Sequence, residues 1–131
     1  MKINVLVAED DETTREKVVA DLNELGVAGK IITAEDGEIA FNELKRITGA
    51  GTTINLVISD MVMPNKTGFE FLKMMKAETD FKSIPFLMLT SRNDKEIILQ
   101  CAKAGVTSYM IKPWNKQGLA EKISQCLTGK K

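Results

Sequence analysis

The chain has 131 residues, 44% of them hydrophobic and 27% charged, and its 18 Lys plus Arg are matched by 18 Asp plus Glu. That length suits one domain, 1–131, with a sizeable core and an ordinary globular composition. The zero formal charge argues against a nucleic-acid surface, no apolar run approaches the roughly 20 residues of a membrane helix, and the absence of histidine removes imidazole acid–base chemistry, His metal ligands and a phosphohistidine carrier.

The N-terminus enters a strand-like run directly, without signal-peptide architecture, so the expected location is the cytoplasm. Cys101 and Cys126 lie far apart, outside any CxxC or metal-type spacing, and read as reduced, partly buried thiols in helices.

In chain order, apolar runs alternate with amphipathic ones. Strands are expected at Ile3–Ala8, Lys30–Ala34, Ile54–Ser59, Ile84–Leu89 and Ser108–Ile111. The first, third and fourth are almost continuously Ile, Val and Leu, the pattern of parallel strands covered on both faces. Between them, capping signals mark helices. Thr13 and Glu16 have capping-box spacing ahead of Val18, Leu22 and Leu25, with Gly26 as the stop. Asp36 can cap a second helix carrying Ala40, Leu44 and Ile47, and a loop with two glycines follows from Thr48 to Thr53. Thr67 and Glu70, then Asn93 and Glu96, repeat the capping-box spacing, the latter ahead of a helix that stops at Gly105. Asn115 can cap a last helix presenting Leu119, Ile123 and Leu127, and the tail from Thr128 is expected to fray. Five such alternations imply a doubly wound α/β domain with a parallel sheet.

In that architecture ligands bind beyond the carboxyl ends of the strands. The first strand runs into Glu9, Asp10 and Asp11, the third into Asp60, the fourth into Thr90 and Ser91, and the fifth into Lys112. Each residue alone has an ordinary explanation as a helix cap, a turn acid or a surface lysine. Together they put acids, hydroxyls and one lysine at a single rim. Crowded carboxylates repel, and a hard cation such as Mg²⁺ relieves the repulsion while welcoming phosphate oxygens. A carboxylate can attack phosphorus, and phosphoryl transfer needs mainly positioning and charge neutralisation. Neither GxxxxGK[ST] nor GxGxxG occurs, so the rim is equipped to receive phosphate rather than to take it from ATP.

Four stretches resemble motifs of the response-regulator receiver family, in the same order. "VLVAEDDETTRE" is similar to its acidic opening, "LVISDMVMPNKTGFEFLK" to its phosphoacceptor strand and loop, "PFLMLTSRND" to its switch strand, and "AGVTSYMIKPW" to its last strand with the Lys-Pro pair. The resemblance implies a flavodoxin- or CheY-like (βα)5 fold with strand order 2-1-3-4-5. It implies Asp60 as phosphoacceptor, Thr90 as switch hydroxyl, Tyr109 as switch aromatic and Lys112 as the phosphoryl-binding lysine. Mg²⁺ would be held by Asp10, Asp60 and the backbone carbonyl of Val62, with Glu9 acting through water. The Lys112–Pro113 bond would be cis. A histidine kinase or phosphotransfer protein would donate the phosphoryl group, and an effector protein would read a face of the fourth helix, fifth strand and fifth helix, roughly Asp94 to Leu127. Such a domain is not an enzyme beyond its own phosphorylation and dephosphorylation, and neither nucleic acid nor membrane is an expected partner.

The chain departs from the family pattern at Trp114, where Phe is usual, at Met61, and in a longer loop before the third strand. None of these falls on the catalytic set. An apolar Val62 and a long Arg92, each two residues beyond a key position, suggest slow self-dephosphorylation. Three other readings compete. A receiver-like scaffold that ignores phosphate would be expected to have lost a key polar residue. A flavodoxin-type flavin site needs a phosphate cradle where this chain is acidic. A haloacid-dehalogenase-like phosphatase places DxD on the first strand.

Overall fold

The computed structural model describes residues 2–92 and 94–128. Its elements alternate as β1 (Ile3–Ala8), α1 (Glu12–Leu25), β2 (Ala28–Ala34), α2 (Gly37–Gly49), β3 (Leu56–Asp60), α3 (Gly68–Lys76), β4 (Phe86–Thr90), α4 (Lys95–Ala104), β5 (Ser108–Ile111) and α5 (Lys116–Thr128). The strands form one parallel sheet in the order β2-β1-β3-β4-β5, the doubly wound arrangement expected from the sequence.

The central strands are apolar on both sides because both sides are covered. Side chains alternate across the sheet. Leu6, Val57, Phe86 and Met88 pack with Leu44, Phe71, Leu72, Met75 and Ile97 on one side. Val5, Val7, Leu56, Ile58, Leu87 and Leu89 pack with Val18, Leu22, Leu119 and Ile123 on the other. Each fully buried Leu, Ile or Phe contributes about 1.5–3 kcal/mol relative to exposure, so the three middle strands form the rigid base of the rim. Both cysteines are free and buried in these layers.

Several boundaries differ from the sequence expectation. β4 begins at Phe86 rather than Ile84 because Pro85 has no N–H to donate to a ladder. β3 begins at Leu56: Asn55 N still donates to Asn4 O at 2.9 Å, but Asn4 N turns to the Asn55 side chain, bonding Oδ1 at 2.8 Å. At their far ends β3 and β4 extend to Asp60 and Thr90, where Met61 N donates to Leu89 O and Lys112 N to Thr90 O. β2 starts at Ala28, paired with Ile3, two residues earlier than expected. α2 continues through Thr48 and Gly49 into the expected loop, because Ala50 N still reaches the carbonyls of Arg46 and Ile47.

Two caps also move. α1 is capped by Asp11, not Thr13: the Asp11 carboxylate accepts from Thr14 N at 2.8 Å and from the Thr14 hydroxyl at 2.7 Å. An extended acid ahead of the first turn satisfies the free N–H groups better than a threonine already inside it. α4 is capped by Asp94, which accepts from Ile97 N; the expected cap Asn93 lies outside the described residues, as do 129–131 of the tail. Asp36 caps α2, and Thr67 with Glu70 forms a complete capping box on α3, both as expected. Asn115 Oδ1 accepts from Gly118 N in the first turn of α5.

Candidate functional site

The register sets the site. Ala8 lies opposite Ser59, Asp60 opposite Leu89, and Thr90 opposite Ile111. Glu9, Asp60, Thr90 and Lys112 therefore leave the sheet at one level. Carboxylate oxygens of Glu9, Asp10 and Asp60 lie within 4.8 Å of one another. Lys112 Nζ bridges two of them, 2.8 Å from Asp60 Oδ1 and 3.0 Å from Glu9 Oε1.

Glu9 is buried, whereas Asp10 is exposed. Burial pushes the Glu9 carboxyl up to about 7; bonds from Lys112 and from Asp11 N pull the other way, and the neighbouring Asp60 charge adds to the rise. Burial alone would lower the Lys112 ammonium, but its bonds to Asp60 and Glu9 outweigh that and hold it above its usual range. One ammonium among three carboxylates leaves excess negative charge, and every donor in the set is a hard oxygen. Those are the donors Mg²⁺ takes, so the residues present fit such a cation. Arg15 does not join the cluster by its charge; its guanidinium donates to the Glu9 backbone carbonyl at 2.8 Å and so fixes the turn after β1.

Thr90 is buried, and its hydroxyl accepts from Arg92 N at 3.0 Å. Arg92 itself does not reach toward Asp60. Its Nε and Nη2 both bond Asp94 Oδ2, at 3.0 and 2.7 Å. Val62, two residues beyond Asp60, is 66% exposed. Tyr109 is not at the rim. It pairs with Met88, two positions before the Thr90–Ile111 pair, and so sits on the same face of the sheet as Thr90. Lys122 of α5 lies 5.4 Å from its ring centroid, beside a groove of about 310 Å³ lined by Ile98, Cys101, Val106 and Tyr109. The Lys112–Pro113 bond is cis, as expected.

Sequence reasoning passed over Gly68. A Cβ there would overlap the Asp60 carbonyl oxygen and crowd Met88 Sδ, so only glycine lets α3 start this close to Asp60. A glycine directly after a capping threonine was the available signal. It also passed over the partner of Trp114, whose indole N–H donates to Asp21 Oδ2 at 2.9 Å and ties the turn after β5 to α1.

The model of the response regulator receiver domain matches residues 5–124. The chain belongs to the response regulator receiver family. Two similar receivers are the chemotaxis protein CheY1 of Helicobacter pylori strain J99, 32% identical over 95% of this chain and 97% of that protein, and the CheY homolog of Campylobacter jejuni, 30% identical over 95% and 92%. Among solved structures, chemotaxis protein CheY4 of Vibrio cholerae superposes with a TM-score of 0.85 at 29% identity, covering 97% of this receiver and all of that chain. This receiver is therefore of CheY type. Among the described residues no helix is long and apolar enough to cross a membrane.

Proposed function

We propose that this receiver takes a phosphoryl group onto Asp60 from a phosphohistidine on a histidine kinase or phosphotransfer protein. The observation that carries the reading is the Lys112 ammonium bridging Asp60 and Glu9, beside the cluster of three carboxylates. An Asp60 oxygen attacks phosphorus. The bond from phosphorus to the donor imidazole nitrogen breaks, and its electron pair stays on the leaving imidazole, which then takes a proton. Lys112 holds Asp60 in place and compensates charge on the arriving phosphoryl oxygens. Asp10, Asp60 and the Val62 carbonyl would hold Mg²⁺, with Glu9 beside them. Bound there, the cation supplies further neutralisation of the phosphoryl oxygens.

Output follows from Thr90. Its hydroxyl exchanges the Arg92 backbone for the phosphoryl group, Tyr109 repacks on the same sheet face, and an effector protein binds one of the two arrangements at α4, β5 and α5 better than the other. The chemotaxis relatives favour a motility effector as the class of target. Incubation with a small acyl phosphate and Mg²⁺ tests the chemistry by intact mass. Gain of one phosphoryl group, lost in Asp60→Ala, is expected. Many turnovers without accumulation would indicate a phosphatase, and no uptake would indicate a scaffold that works without phosphate.

A further inference from the structure

We infer that Asp36 and Asn65 are positioning residues: they clamp the loop between β3 and α3 so that the Val62 carbonyl is fixed for the divalent cation. The inference rests on the receiver reading above, because it takes that carbonyl as a ligand.

Asp36, between β2 and α2, is buried, with 4% of its surface exposed. Its two carboxylate oxygens have separate tasks. Oδ1 accepts from Ile39 N at 2.8 Å and caps α2, while Oδ2 accepts from Asn65 Nδ2 at 2.7 Å. Asn65 is the only non-glycine residue with positive φ among the described residues, at 63°. That left-handed conformation costs free energy for any residue with a Cβ, least for Asn. Glycine would occupy it without penalty, but glycine has no amide to reach Asp36. Such a conformation persists only where its surroundings enforce it.

A second grip lies alongside. Gly37 N donates to Lys66 O at 3.1 Å, and a Cβ on Gly37 would come within 2.7 Å of that oxygen. The cap and the first residue of α2 thus hold two successive residues of the loop. The other end is pinned by Met61 N to Leu89 O and Gly68 N to Met61 O. Val62 lies between these anchors, and its largely exposed side chain offers little packing to orient it. The direction of its carbonyl therefore depends on the anchors.

Two variants separate the clamp from its other duties. Asp36→Ser keeps an oxygen for Ile39 N but is too short to reach Asn65. Asn65→Gly accepts the left-handed backbone freely but lacks the amide. Mg²⁺ binding to the full chain is measured by calorimetry, and phosphate uptake from a small acyl phosphate is followed against Mg²⁺ concentration. Each variant should bind Mg²⁺ about three- to tenfold more weakly, somewhat below the ~10–100-fold lost when a partner bonded directly to a ligand is removed. The double variant should be no worse than the weaker single one, and saturating Mg²⁺ should restore uptake to near the wild-type rate. Wild-type affinity in both variants overturns the clamp, and so does uptake that saturating Mg²⁺ fails to restore. If the wild-type chain itself neither binds Mg²⁺ nor takes phosphate on Asp60, the receiver reading falls, and the clamp with it.

Discussion

Lys112 is the residue on which the rim's electrostatics turn. Removing its ammonium leaves Glu9 and Asp60 buried side by side, each without its strongest bond. Lys112→Met should therefore destabilise the metal-free domain by about 2–3 kcal/mol, between the cost of a lost charged hydrogen bond and that of a broken buried pair. Urea denaturation measures this, and millimolar Mg²⁺ should close part of the gap; an unchanged midpoint would show that the two bonds contribute no net stability. Cys126 gives a pH signature away from the site. Burial pushes its thiol up to about 11, from an ordinary value of 9.0. The folded state thus favours the protonated form. This contribution is whole below pH 9 and is lost as pH rises through 11. Relative to Cys126→Ala, the wild-type chain should lose stability across that window. At pH 8 its native thiolate should be on the order of a hundredfold scarcer than in the unfolded chain, so iodoacetamide labelling should wait on unfolding. Rapid native labelling would contradict the burial.

At the scale of elements, the caps decide where the rim begins. Asp11 carries the α1 cap, so Asp11→Ala should cost about 1 kcal/mol. Thr13→Ala, inside the first turn, should stay within about 0.5 kcal/mol. Thermal melts of the two variants distinguish them, and the reverse order would restore the threonine cap. This position also shows why helix starts are only partly legible in a sequence. Asp11 and Thr13 are both good capping types, and what separates them is the extended backbone at Asp11, which spacing does not reveal. The strands were legible because Val5–Ala8, Leu56–Ile58 and Phe86–Leu89 are apolar without interruption, and Pro85 shifted only an edge. Asp60, Thr90 and Lys112 were legible because each directly follows an expected strand. The bond between Asp36 and Asn65 was not, since 29 residues separate them and each is an ordinary turn residue by type. The pairing of Arg92 with Asp94 was equally hidden, because contacts two residues apart in a loop follow no helical or strand period.

At the scale of the molecule, the sheet joins the proposed phosphoacceptor to a face more than one strand away. Asp60 ends β3, Thr90 ends the neighbouring β4, and Tyr109 lies on β5 beyond it. With Mg²⁺ and a phosphoryl mimic, NMR shifts should run from Asp60 through Thr90 to Tyr109 and into α4, and Thr90→Ala should confine them to the rim. An unaltered pattern in Thr90→Ala would remove the hydroxyl from the route. The whole proposed output depends on where a phosphoryl group lands. Peptide-level mass mapping after brief exposure to a small acyl phosphate and Mg²⁺ reads this directly. The phosphoryl group is expected on Asp60 alone, one per chain, with none in Asp60→Ala. Phosphate on Glu9, Asp10 or any hydroxyl residue, or uptake that survives Asp60→Ala, would contradict the assignment.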